Sequence, residues 1–422
     1  MNQAAAPASD ARPPESPLRS RGFLGLLAYR FLAILSYQIV AVTVGWHVYE
    51  LTHNALALGL IGLTEVIPYF CFALFAGYLV DILPRRKLGM AACVGLVASS
   101  LILAAVAGGT LPAGLGGFGT FTIYAAIALN GVVRAFLGPV NGALFARVLK
   151  REQYARGAAI GSVVMQTGLV AGPAIGGVLV GWSGMALAYT VAAALAALAA
   201  VAIITLRVTE PPAPTEPVPV FKSIGEGMRF VWKTQVLLGA QVLDMFSVLF
   251  GGAVALLPAF ITDILDAGPE ALGLLRAAPA AGSILIALWL SRRPPERGAG
   301  RLLLAAVAGF GLCIIGFALS TQLWLSALLL MASGMCDGVS VVVRSTIMQL
   351  ATPDHMRGRV ASINGIFIGS SNELGAFESG LAAKLLGLVP SVIFGGCMTL
   401  GVVAATARFA PKLRRLNLRE LH

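Results

Sequence analysis

The chain has 422 residues, of which 58% are hydrophobic and only 12% are charged, and its formal net charge at pH 7 is +11. A soluble domain carries roughly 25% charged residues, so this composition excludes an ordinary water-soluble globular protein. Nucleic-acid binding needs a basic face on a soluble module. The chain leaves no room for such a module.

Twelve long apolar segments follow one another between about Gly22 and Ala410. A membrane-spanning helix needs about 20 predominantly apolar residues. We therefore predict an all-α integral membrane protein with twelve transmembrane helices in two pseudo-symmetric six-helix halves. The spans, each good to about four residues, are predicted at 23–49, 55–80, 88–108, 121–147, 157–182, 186–206, 234–262, 269–291, 301–320, 322–350, 358–387 and 390–410.

Basic residues occupy every second gap between the spans. Of the 30 Lys and Arg residues, 25 fall in the two termini and in the 2–3, 4–5, 6–7, 8–9 and 10–11 loops, whereas Arg276 and Lys384 lie nearest the opposite loops. Lys and Arg collect on the cytoplasmic side of a membrane. We therefore predict a multi-pass protein of the cell inner (plasma) membrane with both termini in the cytoplasm.

The organisation is predicted to be two halves and a linker. Proline-rich sequence and a short amphipathic helix at about 221–233 separate the sixth span from the seventh. Similar stretches after spans 4 and 10, about 202 residues apart, indicate that the halves are parallel repeats. A disordered cytoplasmic tail is predicted at 1–21, a first six-helix half at 22–206 and a cytoplasmic linker at 207–233. The second six-helix half is predicted at 234–410, and a second cytoplasmic tail follows at 411–422.

The sequence lacks the motifs of several other functional classes. No HExxH, Cys/His cluster, serine-nucleophile motif or GxxxxGK(S/T) phosphate loop is present, and the five cysteines lie inside apolar segments. A membrane-embedded enzyme, a metal site and ATP-driven transport are therefore not predicted. We expect no catalytic residues and no cofactor.

A short motif closes span 2. Gly77 is followed after three residues by Asp81, and a basic cluster with Arg85 and Arg86 comes next. We expect Gly77 to permit close approach of a helix and Asp81 to cap or pair at a helix end. The pattern resembles the loop signature of the major facilitator superfamily, which implies a conformational gating loop. Two positions differ from the usual pattern, Ile82 and Pro84.

Span 5 carries glycines four residues apart. Gly168, Gly172 and Gly176 share one helix face, which lets a neighbouring helix approach closely, while Pro173 bends or loosens the turn. Together with Gly177, the stretch resembles the span-5 signature of the drug/proton antiporters of the superfamily. This resemblance implies export rather than import.

Two further patterns support this placement. In span 4, Asn130, Arg134 and Gly138 resemble a superfamily pattern associated with proton coupling, although Leu137 stands where glutamine is usual. The stretches 353–359 and 371–380 resemble the branch that contains the enterobactin exporter and related macrolide pumps.

Ionisable residues inside spans are costly and usually face a cavity or a partner. Eight candidates lie away from the extreme span ends: Arg30, Glu65, Arg134, Asp244, Asp337, Arg344, Glu373 and Glu378. Five of them fall in spans 1, 4, 7 and 10, which the resemblance implies are the spans that line the central cavity. These candidates, with Asn130, are the predicted proton-coupling and cavity residues.

The candidates differ in their predicted roles. Arg134 and Asp337 are 203 residues apart at equivalent places in the halves, so we expect them to face one another across the cavity, directly or through water, as a proton-sensitive pair or as a static one. Asp244 is a second candidate proton site. Glu65 is either functional or paired with a neighbouring helix. Arg30 and Arg344 lie near cytoplasmic ends and either snorkel or act in the cavity.

Glu373 and Glu378 are five residues apart, near 140° around a helix, so they are not expected to act as a carboxylate pair on one face.

The function predicted is proton-coupled export of a small amphipathic organic molecule, siderophore-like or drug-like, by rocking of two halves about a midplane site. The proton gradient is the expected energy source, although a sodium gradient stays open. The expected partners are the substrate and the lipid bilayer, with no nucleic acid, and one chain is expected to work as a monomer. The alternatives are an importer of a small metabolite, a lipid flippase and a transporter-like sensor.

Overall fold

A computed structural model describes residues 16–113, 120–150, 153–206, 220–292, 298–353 and 356–416. These residues form helices and no strand. The helices are α1 (Arg21–Thr52), α2 (Ala55–Ile82), α3 (Arg85–Ala107), α4 (Phe121–Val148), α5 (Tyr154–Ile204), α6 (Val220–Lys233), α7 (Gln235–Phe250), α8 (Leu257–Asp263), α9 (Glu270–Arg292), α10 (Ala299–Leu319), α11 (Leu323–Ala351), α12 (Arg357–Leu386), α13 (Leu388–Phe409) and α14 (Pro411–Arg414). Short 3-10 helices at Pro17–Arg19 and Gly252–Leu256 precede α1 and α8.

Ten described helices or helix pairs are long and apolar enough to cross a membrane. One of the ten is α5, whose 51 residues are interrupted at Gly184 (φ 79°, ψ 170°). That positive φ is readily adopted only by glycine. The helix α12 has 30 residues and is not among the ten, because Asn372, Glu373 and Glu378 lower its hydropathy.

The contacts of α5 with α1 show that the chain reverses at Gly184. Before the break, Gly168 faces Ile34 and Gly176 faces Ile39, so the two helices run parallel. After the break, the Ser36 hydroxyl donates a 2.8 Å hydrogen bond to the Ala192 carbonyl, and further along Ala202 lies opposite Gly25, so the direction is antiparallel. Divided at Gly184, α5 is long enough for two spans, and α12 has the length of one more span but lies outside the ten by its composition.

The bundle has two opposite ends, a termini face and a loop face. The termini face carries Arg21 and Phe409. The loop face lies opposite and carries the α1–α2 turn at His53 and the break at Gly184. Exposed tryptophans mark both faces, Trp182 and Trp324 at the loop face and Trp232 and Trp289 at the termini face. Tryptophan is enriched at membrane–water interfaces, so the two groups outline the edges of the bilayer.

Four hydrophobic clusters hold the bundle together. Two lie within the first half, α1–α5, and one lies within the second half, α7–α13. The fourth joins the halves at the loop face, where Val42, Tyr49 and Leu58 pack with Leu257 and Leu272. The halves are therefore separate packing units that meet at the loop face.

The predicted linker and tails are only partly described. Residues 1–15 and the proline-rich stretch lie outside the described residues, and so do 417–422. The amphipathic helix α6 packs on the second half through Val231, which is 1% exposed, while Trp232 points outward. Next to these undescribed termini, helix α1 begins at Arg21, and Leu413 of α14 is buried.

Candidate substrate cavity

A cavity of about 940 Å³ lies between the two halves. Helices α1, α2, α4 and α5 line it from the first half, and α7, α9, α10, α11 and α12 line it from the second. Its lining extends towards the termini face at Arg30, Asn141 and Met165. A volume of this size suits a drug-sized molecule.

Close contacts between the halves lie at the loop-face end of the cavity. A methyl group added at Gly177 on α5 would overlap the backbone of Gly273 on α9, and one added at Gly59 on α2 would lie 3.1 Å from the Cα of Gly380 on α12. Nearby, the Tyr49 hydroxyl donates a 2.5 Å hydrogen bond to Asp263. Small residues allow helix backbones to approach closely, so these contacts seal the cavity on this side.

A charged cluster joins the two halves in the middle of the cavity. The Arg134 guanidinium forms ion pairs with Glu65 at 2.7 Å and with Glu373 at 2.5 Å. The Tyr37 hydroxyl donates a 2.5 Å hydrogen bond to the same Glu65 oxygen, Oε1. The rings of Tyr37 and Tyr69 lie 5.7 and 5.2 Å from the guanidinium carbon, within cation–π range. Glu373 belongs to the second half, and the other members belong to the first.

Glycine contacts bring these helices together. A methyl group at Gly131 on α4 would overlap the backbone of Glu65 on α2, so the two helices touch beside the Arg134–Glu65 pair. Likewise, a methyl group at Gly62 on α2 would lie 2.7 Å from the carbonyl oxygen of Glu373 on α12. The three ionised side chains therefore meet because α2 packs tightly against both α4 and α12.

A second charged cluster lies within the second half. Arg344 on α11 forms an ion pair with Asp244 on α7, and its Nε donates a 3.1 Å hydrogen bond to the Ser340 hydroxyl. Asp337 lines the cavity and interacts electrostatically with Arg344 and Asp244. Gln241 donates a 2.7 Å hydrogen bond to Asn364. These contacts tie α7, α11 and α12 together.

The structure corrects two predicted roles. In the part of the chain that is described, Arg134 forms direct ion pairs with Glu65 and Glu373 and not with Asp337, because the α2–α12 contact brings Glu373 across the interface. Arg134 and Asp337 both line the cavity, so a contact between them through water stays a prediction. Arg344 does not snorkel, because it pairs with Asp244 and the two side chains are only 10% and 7% exposed. Glu65 on α2 pairs with Arg134 on the neighbouring helix α4, which is one of the two roles predicted for it.

The remaining candidates lie in different surroundings. Arg30 lines the cavity and contacts the Met165 sulfur at 2.9 Å. Asn130 is buried within the first half, where it accepts a 2.6 Å hydrogen bond from Ser99. Glu378 is half-buried and accepts a 3.5 Å hydrogen bond from the adjacent Ser379, away from Glu373, as the spacing predicts.

Sequence reasoning missed Arg276 as a cavity residue. It lies on α9, lines the cavity and interacts electrostatically with Glu373 and Tyr37. Its Nε is buried and makes no hydrogen bond with the residues that the structure describes. A signal was available, because Arg276 stands seven residues inside the predicted span 269–291. Arg276 is not among the candidates, because it lies close to the loops that carry almost no basic residues.

The predicted gating loop connects α2 to α3. Arg86 donates a hydrogen bond to the carbonyl of Ile204 at the end of α5, which satisfies a helix-terminal carbonyl. Asp81 lies in the last turn of α2, and its side chain is outside the described part. None of the described residues lies within 4 Å of a methyl group added at Gly77, so the expected helix contact there stays a prediction. The gating role itself stays a prediction.

The glycine motif of α5 has two contact surfaces. Gly168, Gly172 and Gly176 face Ile34, Gln38 and Ile39 of α1, as their four-residue spacing predicts. Gly177 instead faces Gly273 of the second half, and Pro173 lies inside the helix between these contacts. The motif therefore packs α5 within its own half and also takes part in the loop-face seal.

Comparisons with known proteins agree with this architecture. The sequence model of the family described as Major Facilitator Superfamily matches residues 26–376. The multidrug efflux pump Tap of Mycolicibacterium fortuitum is 28% identical over 401 residues, which are 90% of this chain and 93% of the relative. The enterobactin exporter EntS of Escherichia coli O81 (strain ED1a) is 26% identical over 393 residues, 90% of each chain.

Solved structures share the fold at low sequence identity. A POT family transporter in complex with a thioalcohol conjugated peptide superposes with a TM-score of 0.73 at 14% identity, over 93% of this chain and 96% of that one. A bacterial homolog of the human lysosomal transporter Spinster, in an inward-facing and unoccupied conformation, superposes with a TM-score of 0.72 at 15% identity, over 97% and 98% of the chains.

Proposed function

Because this chain belongs to the major facilitator superfamily of membrane transporters, we propose that it is a proton-coupled exporter of a small amphipathic organic molecule. The direction is supported by relatives that are named as efflux pumps and exporters. It is also supported by the α5 glycine motif, which resembles that of drug/proton antiporters. The cavity supports the substrate size, because about 940 Å³ accommodates a siderophore-like or drug-like molecule.

We assign the termini face to the cytoplasm, because 25 of the 30 Lys and Arg residues belong to the segments on that side. With this orientation in the inner membrane, the sealed loop face is external and the cavity lining extends towards the cytoplasm. The structure then corresponds to an inward-facing state. One chain supplies both halves and every charged group of the cavity, so we propose that it works as a monomer.

The observation that carries the proton-coupling proposal is the ion pair from Arg134 to Glu373 across the two halves. When the loop face opens, this pair separates, and Glu373 takes up a proton from outside. When the loop face closes again, Arg134 returns beside Glu373 and stabilises its ionised form. The proton is then released into a cavity that extends towards the cytoplasm.

Substrate binding drives the opposite step. A molecule that enters from the cytoplasm contacts both walls of the cavity, and its binding shifts the population towards the outward-facing state if it binds that state more tightly. Inward movement of a proton then returns the carrier. Export is thereby coupled to the proton gradient without covalent chemistry.

Everted membrane vesicles provide the test. Respiration acidifies the vesicle lumen, and a pH-sensitive dye reports the gradient when ethidium or enterobactin is added outside. Proton-coupled export moves the compound inward and releases lumenal protons, so the pH gradient partly collapses only in vesicles that contain the protein. Uptake of either compound with an undisturbed pH gradient would overturn proton coupling, and no uptake of either would argue against export of both classes.

A further inference from the structure

Arg276 is a charged residue inside a span without an ion-pair partner among the described residues. Its Nε is buried and makes no hydrogen bond there, although the side chain lines the cavity. An unsatisfied polar atom of a charged side chain is costly, and charged residues in membrane spans usually have a partner or a function. The position of Arg276 therefore needs an explanation that the present conformation does not supply.

The neighbours of Arg276 indicate its partner. It interacts electrostatically with Glu373 and Tyr37. Glu373 is already held by Arg134 at 2.5 Å. One carboxylate therefore has two arginines nearby, one of which is engaged while the other is not.

The four charges divide evenly between the halves. Glu65 on α2 and Arg134 on α4 belong to the first half, where the Gly131 contact holds α2 against α4. Arg276 on α9 and Glu373 on α12 belong to the second half. When the halves separate at the loop face, the Arg134–Glu65 pair stays intact, whereas Glu373 loses Arg134. An unpaired carboxylate at this depth is strongly unfavourable.

We propose that Arg276 is a positioning residue that receives the Glu373 carboxylate when the loop face opens. This inference rests on the proposed alternating-access function and its orientation. The groups that face Glu373 are then Arg134 on α4, Glu65 on α2, Tyr37 on α1 and Arg276 on α9. The pair with Arg276 stabilises the outward-facing carrier until a proton neutralises Glu373, and so it opposes return without a proton.

The test measures how often the loop face opens. Leu58 lies in the seal between the halves and is 2% exposed. In a background with the five native cysteines replaced, Leu58→Cys is labelled on intact cells with a membrane-impermeant methanethiosulfonate reagent. The labelling rate, normalised to the total thiol measured after denaturation, follows the outward-facing population.

The expected result is a rate at least about tenfold lower in Arg276→Gln than in the parent, which corresponds to about 1.4 kcal/mol in the opening equilibrium. Arg276→Lys keeps the charge and retains most of the rate. Adding Glu373→Gln to Arg276→Gln restores the rate to that of Glu373→Gln alone, because the carboxylate that needs a partner is gone. Arg292→Gln, which removes an exposed arginine at the termini-face end of the same helix, leaves the rate unchanged.

Two outcomes would overturn the proposal in distinguishable ways. If the parent is labelled but Arg276→Gln is labelled equally fast, or if Glu373→Gln brings no restoration, Arg276 is not the outward-state partner while alternating access stands. If the introduced thiol of the parent is never labelled from outside, the loop face does not open. The proposed function then fails, and the role of Arg276 fails with it.

Discussion

Arg134 and Glu373 come from different halves of the protein and form an ion pair of 2.5 Å in the middle of the cavity. The same guanidinium also binds Glu65 of its own half. Arg134 and Glu65 therefore move together with the first half, whereas Glu373 moves with the second. A contact of this kind must break and re-form in every cycle of two rocking halves.

Glu373→Gln is expected to lower the rate of proton-driven efflux of a transported compound at least about tenfold, because the proton-accepting carboxylate is gone. Exchange of labelled for unlabelled substrate is expected to continue, since it needs no net proton movement. Efflux and exchange measured in the same proteoliposomes check this. The matched control is Glu378→Gln, which makes the same change on the same helix away from the cluster. An equal loss in both variants would contradict a specific role for Glu373.

Asp337→Asn is expected to leave proton-driven transport within about threefold of the parent, because Asp337 forms no part of the contact between the halves. This prediction opposes the hypothesis drawn from the repeat, in which Asp337 faces Arg134. The dependence of transport on pH, measured for Asp337→Asn beside Glu373→Gln, separates the two. Loss of pH dependence in Asp337→Asn would instead show that the proton site lies in the second charged cluster.

Arg134→Gln is expected to destabilise the folded protein, because it leaves the Glu65 and Glu373 carboxylates together without their shared cation. A double-mutant cycle with Glu65→Gln should give a coupling energy of at least about 1 kcal/mol. Thermal unfolding in detergent, followed at several denaturant concentrations, measures it. Additive effects of the two substitutions would show that the ion pair contributes no stability.

Gly177→Ala is expected to hold the loop face open, because the added methyl group would overlap the backbone of Gly273. The external labelling rate of the thiol introduced at Leu58 should rise by at least about fivefold, while transport falls. Gly401→Ala on α13 is the matched control, since its methyl group meets none of the described residues within 4 Å. If Gly177→Ala labels no faster than Gly401→Ala, the contact does not seal the cavity.

The fold could be predicted from the sequence because span length and charge asymmetry are local properties. The sequence predicts the break between spans 5 and 6 between residues 182 and 186, and the structure has it at Gly184. The sequence also predicts helix α12, although Glu373 and Glu378 lower its hydropathy.

The partners within the site could be predicted only in part. The ionised residues Glu65, Arg134 and Glu373 were all candidates, but their grouping depends on backbone contacts at Gly62 and Gly131. No single-sequence pattern specifies which helices touch across a cavity. Repeat symmetry instead pointed to Asp337, because equivalent positions share a depth in the membrane without sharing a contact. Helix pairing is a property of packing, so it required the structure.

The most direct test of proton-coupled export is a flux-reversal measurement in proteoliposomes. With the membrane potential clamped at zero by potassium and valinomycin, a fixed gradient of a transported compound is opposed by a varied pH gradient. For one proton exchanged per molecule, net flux should vanish when a roughly tenfold substrate gradient opposes a pH gradient of about one unit. Each gradient then stores a free energy of about 1.4 kcal/mol. A flux that follows the substrate gradient alone at every pH gradient would contradict the proposal.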